Sequence, residues 1–228
     1  MCGRYVLVSS QETLVARFGI EEVRTEPLPP RYNVAPSLDV YAVVEHQDRR
    51  RLGALRWGFV PRWARALRGS PQPINARIET LTTSRMFQES ARRRRCLLPA
   101  DGFYEWLQRG EGQSKQPYHL APADGQPLAF AGVWSLWRDP QGEPEAPALA
   151  TAAIVTTEAR GGLEDIHPRM PVILPTDRWT DWLRAGDGVD DLLAAIGAAD
   201  PPPLTVTAVS SRVNTVRNDD PELLEPVD

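Results

Sequence analysis

Short apolar or alternating runs, separated by proline and glycine, dominate this chain and restrict its fold more than any other feature. Runs of this length are typical of β-strands, and the 22 prolines and 16 glycines end each run before a long helix can form. The predicted strands are 4–8, 38–45, 52–59, 96–99, 103–107, 128–134, 152–156 and 204–209. The predicted helices are 10–18 or 11–18, 79–94, 176–184 and 189–196. With no internal repeat, the pattern predicts one strand-rich domain.

The composition limits the class of protein. The chain has 228 residues, 42% of them hydrophobic and 25% charged, which fits one globular domain. It shows neither an apolar run long enough to cross a membrane nor a signal peptide, so we expect a cytoplasmic protein, nucleoid-associated when bound to DNA, without a membrane partner. Cys2 and Cys96 are too few for a disulfide framework and lack metal-ligand spacing, so we expect reduced thiols and no metal.

Charge is segregated along the sequence. The net charge is −4, but residues 1–115 carry 19 cationic against 12 acidic side chains, and residues 116–228 carry 7 against 18. All cations except Lys115 are arginines, whose forked donors suit phosphate oxygens. We therefore expect a polyanion to bind the first half, with the positive residues on one face and the acidic excess facing away.

The second residue offers unusual chemistry. Removal of Met1 would leave a thiol and a free α-amine together on Cys2. An α-amine has a reference pKa of about 7.7–8.0, so a useful fraction is nucleophilic near neutral pH and can attack an aldehyde. The neighbouring thiol can then close a five-membered ring on the imine. The alternative is that Cys2 is a small apolar residue at the start of a strand.

Five segments mix polar, aromatic and turn-forming residues more densely than a core strand requires. Their arginines could bind phosphates and their tryptophans, Trp57 among them, could stack on bases, although a single Trp is more often part of a core. The segments are RYNVAP (31–36), WGFVPRWA (57–64), NARIET (75–80), PADGFYEW (99–106) and IHPRMPV (166–172).

These segments, together with MCGRY at the start and AGVW at 131–134, occur in an order that resembles the SRAP family of SOS-response-associated peptidases, or abasic-site processing proteins. The resemblance implies an α+β fold, a single β-rich domain with a mostly antiparallel, barrel-like sheet and short flanking helices. The matching motifs lie within 2–174, so we expect one domain over 1–218. Residues 219–228 are expected to form an acidic, mobile tail.

The resemblance also implies a reaction. Cys2, freed of Met1, would react with the ring-opened aldehyde of an abasic site in single-stranded DNA and form a thiazolidine crosslink that shields the lesion. By similarity to the family, Glu105 would manage protons at the N-terminus and His167 would assist opening of the deoxyribose ring. Asn75 would position the Cys2 amine or the sugar; its structural alternative is a turn or cap, and that of Glu105 is an exposed strand position.

For DNA binding, the resemblance implies that Arg4, Arg77 and Arg169 contact the phosphates that flank the lesion. Trp63 and Trp106 would stack on neighbouring bases or act as wedges. The expected partner is single-stranded DNA containing abasic sites. We expect no cofactor, and a monomer.

Two other functions stay open at this point. Cys2 could be the nucleophile of an N-terminal hydrolase or peptidase with Asn75 near an oxyanion, or the protein could bind single strands without covalent chemistry. Met1 could be removed by the protein itself or by an aminopeptidase. An abasic-site lyase activity is a further alternative.

Overall fold

The computed structural model describes residues 2–110, 112–143, 145–184, 186 and 188–227, and within them the chain forms thirteen strands, four α-helices and short 3₁₀ turns. The strands are β1 Tyr5–Leu7, β2 Glu22–Val23, β3 Arg31–Val34, β4 Asp39–His46, β5 Arg49–Trp57, β6 Asn75–Arg77, β7 Arg95–Ala100, β8 Gly102–Leu107, β9 Gln116–Pro122, β10 Leu128–Trp137, β11 Leu149–Glu158, β12 Arg169–Pro171 and β13 Leu204–Ala208. The helices are α1 Gln11–Phe18, α2 Gln88–Arg93, α3 Trp179–Leu183 and α4 Val189–Ala198.

Five strands close into a ring in the order β11–β10–β7–β4–β5, with β5 returning to pair with β11. All neighbours in the ring are antiparallel except β5 and β11, which run parallel at Thr151–Arg56 and Ala152–Trp57. The β4–β5 hairpin turns at Gln47 and Asp48, both with positive φ, as the tight turns that match strand twist require. The expected α+β fold with a mostly antiparallel, barrel-like sheet is therefore confirmed.

The second sheet, in the order β13–β9–β8–β1–β3, contains the N-terminal strand. β1 lies between β8 and β3, antiparallel to both, with Tyr5 opposite Phe103 on one side and Val34 on the other. An N-terminal strand paired on both edges brings the start of the chain into the protein interior.

Aromatic side chains fill the space between the two sheets. Tyr5, Trp57, Phe103 and Phe130 are all fully buried. Tyr5 meets Trp57 edge to face with ring centroids 5.3 Å apart, a favourable arrangement for aromatic quadrupoles. Trp57 also donates from Nε1 to the carbonyl of Ile74 at 2.9 Å, so it is a core residue and not a stacking platform. Cys96 is buried in the same core, as expected.

The predicted helices match the structure in three of four cases. α1 begins after Ser10, whose side chain accepts the N–H of Thr13, and ends at Gly19 with φ 60°. The helix predicted over 79–94 is wrong: only Gln88–Arg93 is α-helical, and a 3₁₀ turn and further turns precede it. Side chains in 80–86 bond to nearby backbone, as Thr83 Oγ1 does to the Thr80 carbonyl, and such bonds compete with the helix.

The five strands missing from the sequence prediction are short or rich in polar residues. They are β2, β3, β6, β9 and β12.

Residues 219–227, for which the sequence predicts a mobile tail, are packed against the domain in the structure. Asp219 accepts the backbone N–H groups of Tyr32 and Asn33 at 2.6 and 2.9 Å and pairs with Arg31. Leu223 is fully buried. The acidic residues seemed typical of a solvated tail, but Asp219 satisfies donors of β3. Asp228 lies outside the described residues.

Buried Asn33 holds the preceding part of this segment. Its Nδ2 donates to the carbonyls of Val213, Thr215 and Asn218 at 3.2, 3.3 and 2.9 Å. The RYNVAP segment therefore serves to anchor the C-terminal part of the chain. Within the described residues, no helix is long and apolar enough to cross a membrane.

We expect Asn33→Ala to lower the free energy of unfolding by about 1–3 kcal/mol, because buried carbonyls lose their donor. Denaturant unfolding measures this change. The control is Asn214→Ala, which removes an exposed amide with one hydrogen bond, to Trp106, and should cost less. Equal costs for the two variants would contradict the anchoring role.

Candidate active site

Cys2 is held at the entry to β1 with its whole residue buried. The carbonyl of Cys2 accepts a hydrogen bond from Nδ2 of Asn75 at 2.9 Å. Its thiol points to the carbonyl of Arg4, with 4.0 Å between Sγ and O. Residue 2 therefore has a defined position, set by β1 on one side and by β6 on the other. Met1, whose removal is expected from the sequence, lies outside the described residues.

Burial, and secondarily the negative charge of Glu105, raises the pKa of the Cys2 thiol well above its ordinary value. The sulfur is therefore a neutral thiol at physiological pH in this environment. A low-pKa nucleophilic cysteine would need an electropositive surrounding instead.

Glu105 lies on β8, beside the start of β1. The N–H of Tyr104 donates to the carbonyl of Arg4 at 3.0 Å, which brings the next residue, Glu105, toward the N-terminal end of the chain. Glu105 is only 4% exposed, so the alternative of an exposed strand position is wrong. Burial raises the pKa of its carboxyl to about 7. A carboxyl with this pKa can both accept and donate a proton near neutral pH.

Asn75 owes its position to parallel pairing. β6 runs alongside β11, with Asn75 opposite Ile154, and the N–H of Ile154 donates to the carbonyl of Ile74 at 3.0 Å. While Nδ2 of Asn75 binds the Cys2 carbonyl, its Oδ1 is buried with no hydrogen-bond partner among the described residues. An amide oxygen in this state can accept an N–H. The alternative of a simple cap does not account for the bond to Cys2.

His167 follows a 3₁₀ turn, Leu163–Asp165, and its backbone N–H donates to the Leu163 carbonyl at 3.0 Å. Nδ1 lies 3.0 Å from the backbone nitrogen of Arg169, which can only donate, and 2.9 Å from the Arg169 carbonyl. The carbonyl can only accept, so the proton of the neutral ring is on Nε2 when Nδ1 bonds to the Arg169 N–H and on Nδ1 when it bonds to the Arg169 carbonyl. Burial lowers the pKa of His167 below its ordinary value, which favours the neutral ring at pH 7.

The three expected phosphate ligands have different environments. Arg77 is exposed at the end of β6. Arg4 is half-buried, donates to the Gly3 carbonyl at 2.8 Å, and has a pKa lowered by burial. Arg169 binds the Glu79 carboxylate through both terminal nitrogens, at 2.7 and 3.0 Å. Of the three, Arg77 has the most accessible side chain.

The two expected stacking residues have different surroundings. Trp106 follows Glu105 on β8, is partly exposed, and donates from Nε1 to Oδ1 of Asn214 at 2.7 Å. Trp63 is 54% exposed on the loop after β5, with the Arg85 guanidinium 5.5 Å from its ring centroid. The structure records no contact between Trp63 and the four candidate catalytic residues within the described ranges.

Two residues that are not predicted from the sequence to belong to the site affect groups within it. Lys115, directly before β9, has a positive charge that limits the rise of the Glu105 pKa and adds to the lowering of the His167 pKa. In the sequence, Lys115 is distinguished only as the single lysine of the chain. Glu79 lies inside the NARIET segment and engages Arg169. Among the described residues, no group of three or more His, Cys, Asp or Glu side chains could hold a metal ion.

Comparisons with known proteins agree on one family. The family model described as "SOS response associated peptidase (SRAP)" matches residues 1–216. The abasic site processing protein YoqW of Bacillus subtilis is 37% identical, over 99% of this chain and 99% of the relative. The abasic site processing protein YedK of Escherichia coli is 35% identical, with all of both chains covered.

A solved structure supports the fold. A protein from Bacteroides thetaiotaomicron superimposes with a TM-score of 0.83 and 21% identity, over 99% of this chain and 100% of the other. At this identity the likeness bears on the fold alone. The family model and the two relatives, each matched over nearly the whole chain, carry the assignment: this chain belongs to the SRAP family.

Proposed function

We propose that this protein recognises abasic sites in single-stranded DNA and captures them covalently through the α-amine and thiol of Cys2, after Met1 has been removed. The observation that carries the proposal is the fixed position of Cys2, whose carbonyl is bound by Asn75 and whose thiol is influenced by the charge of Glu105. Relatives named for abasic-site processing support the choice of lesion.

The order of bond formation follows from the protonation of Cys2. Because the thiol has a raised pKa, the α-amine is the first nucleophile to attack the C1′ aldehyde of the opened sugar. Loss of one water gives the imine. The sulfur then adds to the imine carbon while its proton is passed on and the imine nitrogen gains one, so the thiazolidine forms with one water released overall.

Glu105 is suited to these proton transfers. With a pKa of about 7 it can accept the thiol proton as sulfur adds and can protonate the departing hydroxyl as the imine forms. We also propose that Glu105 transfers protons during cleavage of one peptide bond, the bond between Met1 and Cys2. Asn75 contributes by orienting residue 2, and its buried Oδ1 is an acceptor available to the freed α-amine.

His167 has the protonation state needed to open the sugar. Opening of the cyclic hemiacetal moves one proton from the C1′ hydroxyl to the ring oxygen, and a neutral imidazole can accept the hydroxyl proton and then give one to the ring oxygen, ending neutral. Because burial lowers the pKa of His167, the ring is neutral at pH 7 and can accept this proton. We assign His167 to ring opening on this basis.

DNA recognition must use the backbone, because an abasic site has no base edge to read. Arg4, Arg77 and Arg169 are the proposed phosphate ligands, and Trp106 and Trp63 the proposed stacking residues. The interaction should show little sequence preference.

A hydrolase with Cys2 as its nucleophile is disfavoured by the buried thiol, since its pKa is raised well above the ordinary value. A non-covalent binding module would not need the bond from Asn75 to Cys2. Covalent capture that begins with the α-amine is consistent with the raised thiol pKa and with the bond from Asn75 to Cys2.

We expect the wild-type protein to form a denaturant-stable adduct with single-stranded DNA that carries one abasic site, and Cys2→Ala and Cys2→Ser to form none. Denaturing electrophoresis measures the adduct. Intact mass should equal protein without Met1 plus DNA minus one water. A stable adduct of Cys2→Ala without reductant would refute the thiazolidine, and shortened DNA strands would reveal a lyase step.

Glu105→Gln should slow crosslinking by about 10²–10⁴-fold. The pH profile of the wild-type rate should inflect near pH 7, where Glu105 titrates, and the variant should lack this inflection. Because the raised pKa makes the folded protein bind the extra proton, wild-type stability should fall as pH rises from 4.5 to about 7.

The Gln variant should lose less stability over the same range, which chemical denaturation at each pH can check. An unchanged pH profile in Glu105→Gln would contradict the role of this carboxyl. Retention of Met1 in the variant would assign methionine removal to the protein itself, whereas its normal loss would assign it to an aminopeptidase.

Arg77→Ala should weaken noncovalent binding and reduce the slope of log affinity against log salt by about 0.7, as expected for one lost contact to a single-strand phosphate. Fluorescence anisotropy with Cys2→Ala avoids crosslinking during the titration. The control is Arg138→Ala, since Arg138 donates to the Ala146 carbonyl near the opposite end of β11. Equal salt slopes for both variants would argue against the phosphate contact.

A further inference from the structure

A bidentate ion pair closes over the end of β11, and the reaction proposed above does not use its acidic member. Nη1 and Nη2 of Arg169 donate to Oε1 and Oε2 of Glu79 at 2.7 and 3.0 Å. The Arg169 side chain is 14% exposed and that of Glu79 is 44% exposed. Two parallel bonds of this kind fix the guanidinium in direction as well as in position.

The ion pair joins segments that lie on opposite edges of β11. Thr156 of β11 is opposite Arg77 of β6 on one edge and opposite Pro171 of β12 on the other. The Arg169 side chain reaches over the strand between them, and its Nη2 also donates to the Thr156 carbonyl at 2.7 Å. The ends of three strands are therefore linked through one guanidinium.

These segments carry the residues of the proposed reaction. Glu79 lies in the 3₁₀ turn Ile78–Thr80, directly after the strand that holds Asn75 and Arg77. At the other end, Nδ1 of His167 lies 3.0 Å from the backbone nitrogen of Arg169 and 2.9 Å from its carbonyl oxygen. The ion pair thus connects the segment that orients Cys2 with the segment that orients the His167 ring.

We propose that Glu79 is a positioning residue for the crosslinking reaction, holding the Asn75 and His167 segments in register through Arg169. This inference rests on the proposed function and adds a residue to it. Glu79 is also an anion beside Arg77 and Arg169, so it opposes phosphate binding. Its presence therefore lowers DNA affinity while raising the rate of the chemical step.

The two effects can be measured separately. Glu79→Gln keeps the shape of the side chain and removes its charge. We expect the variant to bind single-stranded abasic DNA at least as tightly as wild type, each measured in the Cys2→Ala background, yet to crosslink about tenfold more slowly at saturating DNA. The matched control is Glu158→Gln, because Glu158 is an exposed carboxylate opposite Arg169 on β11 with no ion pair to a described residue.

Combining substitutions of Glu79 and Arg169 provides a second test of the proposal. Arg169→Lys keeps the charge but loses the fork, so it should slow crosslinking to a similar extent. The double variant Glu79→Gln, Arg169→Lys should be no slower than the slower single variant, because both changes remove one interaction. Multiplicative losses would show that the two residues act independently and would overturn the proposal.

The positioning of the His167 ring can be measured directly in the protein without DNA. The chain has three histidines, so the ring nitrogens of His167 can be assigned by ¹⁵N NMR. We expect one neutral tautomer in wild type and in Glu158→Gln, and a mixture of tautomers in Glu79→Gln.

An unchanged rate with an unchanged His167 spectrum would overturn the proposal. Tighter binding with faster crosslinking would also overturn it, and would make Glu79 an internal competitor of phosphate. If the wild-type protein forms no crosslink, the proposed function fails, and the His167 spectrum still decides whether Glu79 positions this ring.

Discussion

Pairing of β1 with strands on both of its edges is the constraint on which the site depends. A chain end is normally mobile, but here β8 and β3 hold the first strand inside a sheet, and Cys2 enters the interior with it. The carbonyl of Cys2 is then within reach of Asn75, which belongs to the other sheet. Cys2 therefore lies where the two sheets meet.

Burial at this junction decides the protonation of the groups around Cys2. The same loss of solvent raises the pKa of the thiol and of the Glu105 carboxyl, and lowers the pKa of His167. The outcome is a neutral thiol, a carboxyl that titrates near pH 7 and a neutral imidazole. For the proposed reaction, this set leaves the α-amine as the first nucleophile and supplies groups that exchange protons at neutral pH.

Several motifs that the sequence offers as functional candidates contain residues that stabilise the fold. In RYNVAP, Asn33 and the backbone of β3 anchor residues 213–219. In WGFVPRWA, Trp57 fills the core whereas Trp63 faces solvent. The density of polar and aromatic residues in a segment does not distinguish a structural role from ligand binding. The same residue types occur where a buried side chain donates to distant carbonyls and where a side chain contacts a ligand.

The sequence by itself determined the strand-rich α+β class, most of the long strands, the family and the identity of the candidate catalytic residues, because local periodicity and contiguous motifs are properties of neighbouring residues. It did not determine the ring closure of β5 with β11, the burial of Glu105, the docking of residues 219–227 or the Glu79–Arg169 ion pair. Each of these joins residues distant in sequence or reflects loss of solvent around a side chain. Only the tertiary structure decides such features, since desolvation and long-range pairing exist only when the chain is folded.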